Sequence, residues 1–321
     1  MASRNLMGTL MAAAALGQPL QETPTFKTEV EVVNILCSVR DKNGALVSNL
    51  TRDDFIVEEE GRRQQIRYFA RETDLPLTLG LLVDVSPSQE RLLETERRAA
   101  AQFFQSVLRA KDLAFLISFG AEVELLQDLT GSPQLLRAGL DRLRLSGAAG
   151  GLHPGPVPTI QRHRSTALFD AVYLAAREKL RHEVGRKAMI LITDGVDVGS
   201  RVKLEEAIEA AQKADAIIYA IYYVDPGAYP RAGFFHVPSD ADLKKMAEET
   251  GGRVFRVTKK RTLQQIFDEI QEEMRSQYAI GYTPSNPVRD GTFRRIEIRT
   301  VQKGLKVQAR KGYYAVKPER E

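Results

Sequence analysis

The run Leu77-Thr78-Leu79-Gly80-Leu81-Leu82-Val83, which ends at Asp84, constrains the chain more than any other stretch. An apolar run of this length, bounded by polar turn residues, reads as a strand buried on both faces. Asp84-Val85-Ser86-Pro87-Ser88 follows at once. A stretch from Glu90 to Leu108 then places Leu92, Leu93, Ala99, Phe103, Phe104 and Val107 at helical spacing. Strand, short polar turn and helix in this order make the first half of a parallel crossover, so more buried strands are expected downstream.

They are present. Ala188-Met189-Ile190-Leu191-Ile192 runs into Thr193-Asp194-Gly195, and Ala216 to Val224 supplies a third apolar strand. Asp112–Phe119, Val123–Leu126 and Arg253–Val257 read as further strands. Helical patterns cover Pro133–Leu145, Thr166–Arg181, Lys203–Ala214, Asp240–Thr250 and Thr262–Met274. The expectation is an α/β fold with a doubly wound, mostly parallel sheet. Ser146 to His163, rich in Gly and Pro, reads as a long exposed loop.

Both flanks are β in character. On the N-terminal side, Val30 to Val39 is followed by Asp41-Lys42-Asn43-Gly44, a hairpin signal, and then by strands near Phe55 and Gln65–Phe69. Glu58 to Gly61 reads as a polar turn whose acidic trio is solvated. On the C-terminal side, Gln277–Tyr282, Arg294–Thr300, Lys306–Ala309 and Gly312-Tyr313-Tyr314 read as strands. Small isolated groups of strands are only marginally stable, so the flanks are expected to form one small β domain together. The predicted division is a signal peptide and spacer over 1–22, an N-terminal β segment over 23–76, an α/β domain over 77–275 and a C-terminal β segment over 276–321.

The formal net charge is +4 with the basic residues scattered, which argues against nucleic-acid binding. Cys37 is the lone cysteine, so no intrachain disulfide can form, and burial as a small hydrophobe is expected. His153, His163, His182 and His236 show no ligand spacing, which leaves no zinc site to propose. Arg4, the apolar run Leu6–Leu16 and Ala15-Leu16-Gly17 resemble a short secretory leader. Export to the periplasm, the cell surface or the medium is therefore expected. No run is long enough to span a membrane, a retained leader aside.

In open α/β sheets ligands sit at the carboxyl ends of the strands. Asp84, Ser86 and Ser88 put one carboxylate and two hydroxyls there, and these hard oxygens suit Mg²⁺ rather than zinc. The alternative is that they merely cap the following helix, since Asp and Ser lead at N-caps. Thr166, at the start of a helix, and Asp194, at the end of the second buried strand, add oxygens that such a fold brings to the same edge. Near them, Asp170 is expected to stabilise a helix start and Asp197 to lie on the rim.

Asp84-x-Ser86-x-Ser88, Thr166 and Asp194-Gly195 together resemble the metal-ion-dependent adhesion site of von Willebrand factor type A domains and integrin I domains. The resemblance covers about Leu77 to Met274. The flanks, in Val39 to Val47 with Leu50 to Phe55, and in Tyr278 to Pro284 with Arg310 to Tyr314, resemble a bacterial VWFA-related family described from acidobacteria. What the resemblance implies is an exported interaction module. Asp84, Ser86, Ser88, Thr166 and Asp194 would surround one Mg²⁺ or Mn²⁺, and an exposed acidic side chain of a partner protein would complete the shell. The chain departs from that pattern at Pro87 and at Arg164-Ser165, where many relatives have glycine, so that Arg162, His163 and Arg164 make the rim basic.

Two other readings stay open. One is a structural scaffold whose metal site is vestigial. The other is a metal-dependent hydrolase. Phosphoaspartyl enzymes want a second carboxylate two residues after the first, where this chain has Ser86. No G-x-S-x-G elbow, P-loop or dinucleotide fingerprint is present in the right context. The expectation is therefore no enzyme.

Overall fold

The computed structural model describes residues 32–71, 75–146, 166–229 and 237–316. The expected leader, most of the long loop with its basic rim, and the last residues lie outside them.

In chain order the elements are β1 (Val33–Arg40), β2 (Phe55–Glu59), β3 (Arg62–Gln64), β4 (Ile66–Arg71), β5 (Leu77–Asp84), α1 (Leu93–Val107), β6 (Leu113–Phe119), β7 (Val123–Thr130) and α2 (Pro133–Leu140). Next come α3 (Leu168–Leu174), β8 (Arg186–Thr193), α4 (Leu204–Lys213), β9 (Ala216–Tyr222), α5 (Ala241–Thr250), β10 (Val254–Arg256) and α6 (Leu263–Arg275). The chain closes with β11 (Tyr278–Tyr282), β12 (Phe293–Thr300), β13 (Lys306–Ala309) and β14 (Gly312–Tyr314).

A six-stranded sheet in the order β10-β9-β8-β5-β6-β7 forms the middle layer. Every neighbouring pair is parallel except the hairpin β6–β7 at one edge. All residues of β5 and β8 are buried, as apolar runs without alternation require when helices cover both faces. Leu79, Leu81 and Val83 join α1, α2 and α6 on one face, where Phe103 stacks on Phe267 with ring centroids 4.4 Å apart. Leu82, Met189 and Leu191 join α3, α4 and α5 on the other. From β5 the chain moves outward to β6 and β7, then returns to β8 on the opposite side and continues to β9 and β10. The winding direction therefore reverses between β5 and β8, and a crevice at such a point is where open α/β sheets hold ligands.

The flanks meet. Strand β11 pairs antiparallel with β1 and β4, in a sheet ordered β13-β1-β11-β4. A second antiparallel sheet, β14-β12-β2-β3, also mixes strands from both chain ends. The two share a core of Val33, Ile35, Cys37, Phe55, Val57, Tyr278, Ile280 and Tyr282 among others. Phe55 and Tyr278 meet edge-on across it at 5.2 Å. Burial pushes the Cys37 thiol up to about 12.

Two expectations for the flanks change. The Asp41–Gly44 turn forms, with Gly44 N donating to Asp41 O, but its return is only an isolated bridge between Arg40 and Leu46. Strand β13 takes the edge of β1 instead. The acidic trio is not a solvated turn either. Glu58 and Glu59 belong to β2, and strand alternation turns Phe55, Val57 and Glu59 inward. Glu59 is tolerated there because Tyr282 Oη donates to it at 2.7 Å, Tyr313 Oη at 3.1 Å, and Arg294 lies 3.7 Å away.

A buried carboxylate ties the β flank to the α/β layers. Glu273 on α6 accepts from Arg40 at 2.6 Å, from Ser38 at 3.2 Å and from Arg253 at 2.7 Å. Among the described residues no helix is long and apolar enough to cross a membrane.

Candidate metal centre

The reversal point brings two loops together. Asp84 is the last residue of β5, and Asp194 follows the last residue of β8, its neighbour. After Asp84 the chain turns through a short 3₁₀ segment, Pro87–Gln89, before α1 begins. Pro87 fits because its fixed φ and missing donor cost nothing at the first position of a helical turn.

Ser86 stands at the N-cap position of this 3₁₀ turn, as one expectation had it, but without a capping bond from its side chain. Neither hydroxyl caps a helix start, and the residue flanking α1 is Leu92. Instead the hydroxyls form a chain. Ser86 Oγ and Ser88 Oγ lie 2.9 Å apart, and Ser88 Oγ donates to Asp194 Oδ2 at 2.6 Å. The Ser86 backbone N–H donates to Asp84 Oδ1 at 2.9 Å. Four of the five expected residues are thereby joined across two loops that lie more than a hundred residues apart in sequence.

The fifth is held alongside. Thr166 is buried and makes a two-way backbone bridge with Val198 in the loop after Asp194, at 2.9 Å each way. Ala167 N donates to Gly120 O, just past the end of β6. Since β5 lies between β6 and β8, this segment crosses the end of β5, where Asp84 sits. The loop after Asp194 depends on Gly195, whose φ is +76° and where a Cβ would fall 2.1 Å from Ser239 O.

The residues around this chain extend beyond the expected five. Thr193 Oγ1 donates to Asp84 Oδ2 at 2.6 Å. Gln89 Nε2 and Tyr229 Oη both donate to Asp194 Oδ2, at 3.0 and 2.5 Å. Asp170 lies in the first turn of α3, the helix start it is expected to stabilise, and Asp197 serves the same helix start. Asp197 Oδ1 accepts from the N–H groups of Leu168 and Phe169 and so caps α3. Asp170 accepts from Arg201 and Val202 and braces the loop before α4.

The electrostatics are those of a dry acidic pocket. Burial, reinforced by the charge of Asp194, pushes Asp84 up to about 7 against the hydrogen bonds from Thr193 and Ser86. Glu96 on the inner face of α1 is also held well above the ordinary glutamate range, by burial first and then by Asp84 and Asp194. Both Glu96 oxygens and Gln89 Oε1 are buried without a hydrogen-bond partner. The orphaned atoms beside the chain are carboxyl and amide oxygens, which a proton, a hydrogen-bond donor or a cation would satisfy. Carboxylate and hydroxyl oxygens are also the donors that Mg²⁺ or Mn²⁺ takes. Among the described residues no three His, Cys, Asp or Glu side chains converge to hold an ion by themselves, so an ion here needs the hydroxyls.

The family model of the von Willebrand factor type A domain matches residues 157–269. Over that segment the chain is similar to a von Willebrand factor type A domain. The matched segment includes Thr166 and Asp194, while Asp84, Ser86 and Ser88 precede it, in and just after the neighbouring strand of the same sheet. None of the curated proteins matches the chain. Among solved structures, proximal thread matrix protein 1 of the mussel byssus is similar at a TM-score of 0.50 and 14% identity, over 68% of this chain and 51% of that one. A second structure of that mussel protein, with a zinc-occupied MIDAS motif, gives 0.50 and 15% over 67% and 49%. The chain therefore spans about half the length of the mussel protein. The conserved hypothetical protein BatB from Bacteroides thetaiotaomicron gives 0.47 and 17% over 62% and 97%. At these identities the likeness to solved structures is one of fold.

Proposed function

We propose that the chain is an exported, cation-dependent protein-interaction module without catalytic activity. Asp84, Ser86, Ser88, Thr166 and Asp194 would hold one Mg²⁺ or Mn²⁺, and a carboxylate of a partner protein would join the shell. The observation that carries this reading is the hydrogen-bonded chain from Asp84 through Ser86 and Ser88 to Asp194, made by serines whose hydroxyls bond to one another and to Asp194 rather than to helix N–H groups. The mussel protein with its occupied motif supports the same reading by likeness of fold. Bound there, the ion would supply positive charge at the carboxyl edge of the sheet, where an acidic side chain can reach it. Mg²⁺ keeps open or water-filled positions in sites with few protein ligands.

Calorimetry with Mg²⁺ and with Mn²⁺ tests the site. Uptake by the wild type that is lost in Asp84→Ala is the expected outcome, and equal heats from both proteins discard it. Partner capture from an envelope fraction, with Mg²⁺ against chelator, tests the bridge. A second reading, a scaffold with a vestigial site, draws support from Asp194 Oδ2, which already accepts three protein donors. Capture indifferent to chelator favours that reading.

A further inference from the structure

Glu96 is an anomaly that the five-residue site does not use. It lies on α1 among Leu93, Ala100, Phe103, Phe104 and Val107, on the face turned to the sheet. It is 1% exposed, and neither carboxylate oxygen has a partner. A buried carboxylate with no donor is costly, and native structures keep one only where something offsets it. Side chains on a helix tilt toward its N-terminus, so Glu96 reaches back toward the 3₁₀ turn that carries Ser88 and Gln89. The backbone links the two, Glu96 N–H donating to Leu92 O and Leu92 N–H to Gln89 O, and Gln89 Nε2 donates to Asp194 while its Oε1, also buried, has no partner. Two buried groups with orphaned oxygens thus stand at the start of α1 and in the turn that carries Ser88.

We propose that Glu96 is a positioning residue of the cation site, a third carboxylate that strengthens the hold on the ion without touching it. The inference rests on the reading of the site given above. That Asp84, Asp194 and Glu96 do not converge to hold an ion by themselves fits a role at one remove. After burial, the charges of Asp84 and Asp194 both oppose ionisation of Glu96. Charges couple strongly in such a dry setting, and groups just outside a metal's ligand sphere typically change affinity 10- to 100-fold. A site supported in this way retains its ion before a partner arrives, rather than gaining it together with the partner's carboxylate.

The test uses the full chain, Mn²⁺ alone as the probe, and the variants Glu96→Gln and Glu96→Met. Calorimetry gives the Mn²⁺ Kd, and thermal unfolding is followed in chelator and in saturating Mn²⁺. The expected result for Glu96→Gln is a Kd weakened roughly 10- to 100-fold and a smaller Mn²⁺-induced rise in Tm. In chelator its Tm is equal to or above that of the wild type. An unchanged Kd, or a Tm lowered equally with and without Mn²⁺, assigns Glu96 a purely structural role and overturns the inference. Glu96→Met, which removes the polar group at similar volume, replaces Glu96→Gln if the latter fails to fold, with the same expected outcomes. If the wild type itself takes up no Mn²⁺, the reading of the site fails instead, and that outcome is distinct.

Discussion

Shifting a metal-free sample from pH 5 to pH 7.5 should destabilise this protein, and Asp84 sets the size of the effect. The folded state holds its proton up to about pH 7, because burial and the Asp194 charge oppose ionisation, whereas an ordinary aspartate releases it near 3.8. Between those values the folded state binds one proton more than the unfolded state. Stability then falls as pH rises, by about 1.4 kcal/mol for each unit. The stabilisation is complete below the unfolded value and is lost as pH rises through the folded one. From pH 5 to 7.5 this amounts to about 2 to 3 kcal/mol from Asp84 alone. Glu96 shifts in the same direction and adds to it. The lowered carboxylates Asp240 and Glu269 act oppositely, but mainly below this range. The assay is urea unfolding in chelator at both pH values, for the wild type and for Asp84→Asn. The variant should lose most of the dependence, and saturating Mg²⁺ should flatten it by favouring the ionised site. Wild-type stability that is flat or rises with pH relative to Asp84→Asn refutes the picture of a dry, mutually repelling pair.

Three other changes probe the frame around the site. Glu273→Ala leaves Arg40 and Arg253 without the carboxylate between them; a loss of about 3 kcal/mol in urea unfolding is expected, and a change under about 1 kcal/mol contradicts the clamp. Gly195→Ala forces a Cβ against Ser239 O at a left-handed φ. A loss of at least about 2 kcal/mol and weaker cation uptake should follow, and wild-type behaviour in both counts against that geometry. Tyr229→Phe removes one of three donors to Asp194 Oδ2. Calorimetry should show Mn²⁺ bound several-fold more tightly, because the ion no longer competes with that hydroxyl, whereas weaker binding would make the tyrosine a ligand.

The sheet and its winding were legible because fully buried parallel strands carry an unmistakable signal. The runs Leu77–Val83 and Ala188–Ile192 become β5 and β8 almost residue for residue. The pairing of the flanks was also readable, because neither has enough strands to stand alone. What could not be read was how polar groups are satisfied across distant elements. Glu59 reads as a turn residue until the hydroxyls of Tyr282 and Tyr313 are placed beside it. Asp197 caps α3 from the loop after β8 because a side chain caps whichever N–H groups the tertiary fold brings to it, and 3.6-residue periodicity carries no such information. Glu96 was within reach of sequence reasoning. A glutamate on the stripe Leu93, Ala100, Phe103, Phe104 and Val107 interrupts an apolar helix face, and such an interruption asks for a partner. Ser86 and Ser88 show the opposite case, where two residue types that favour caps are used to link loops.

If the site is as proposed, the oxygens of Asp84, Ser86, Ser88, Thr166 and Asp194 converge on one cation. Anomalous diffraction from crystals grown with Mn²⁺ locates that ion directly. One strong peak is expected in the crevice between the ends of β5 and β8, within bonding distance of serine hydroxyl and aspartate oxygens. A map with no peak there at saturating Mn²⁺, from crystals in which the hydrogen bond from Ser88 to Asp194 persists unchanged, would contradict it.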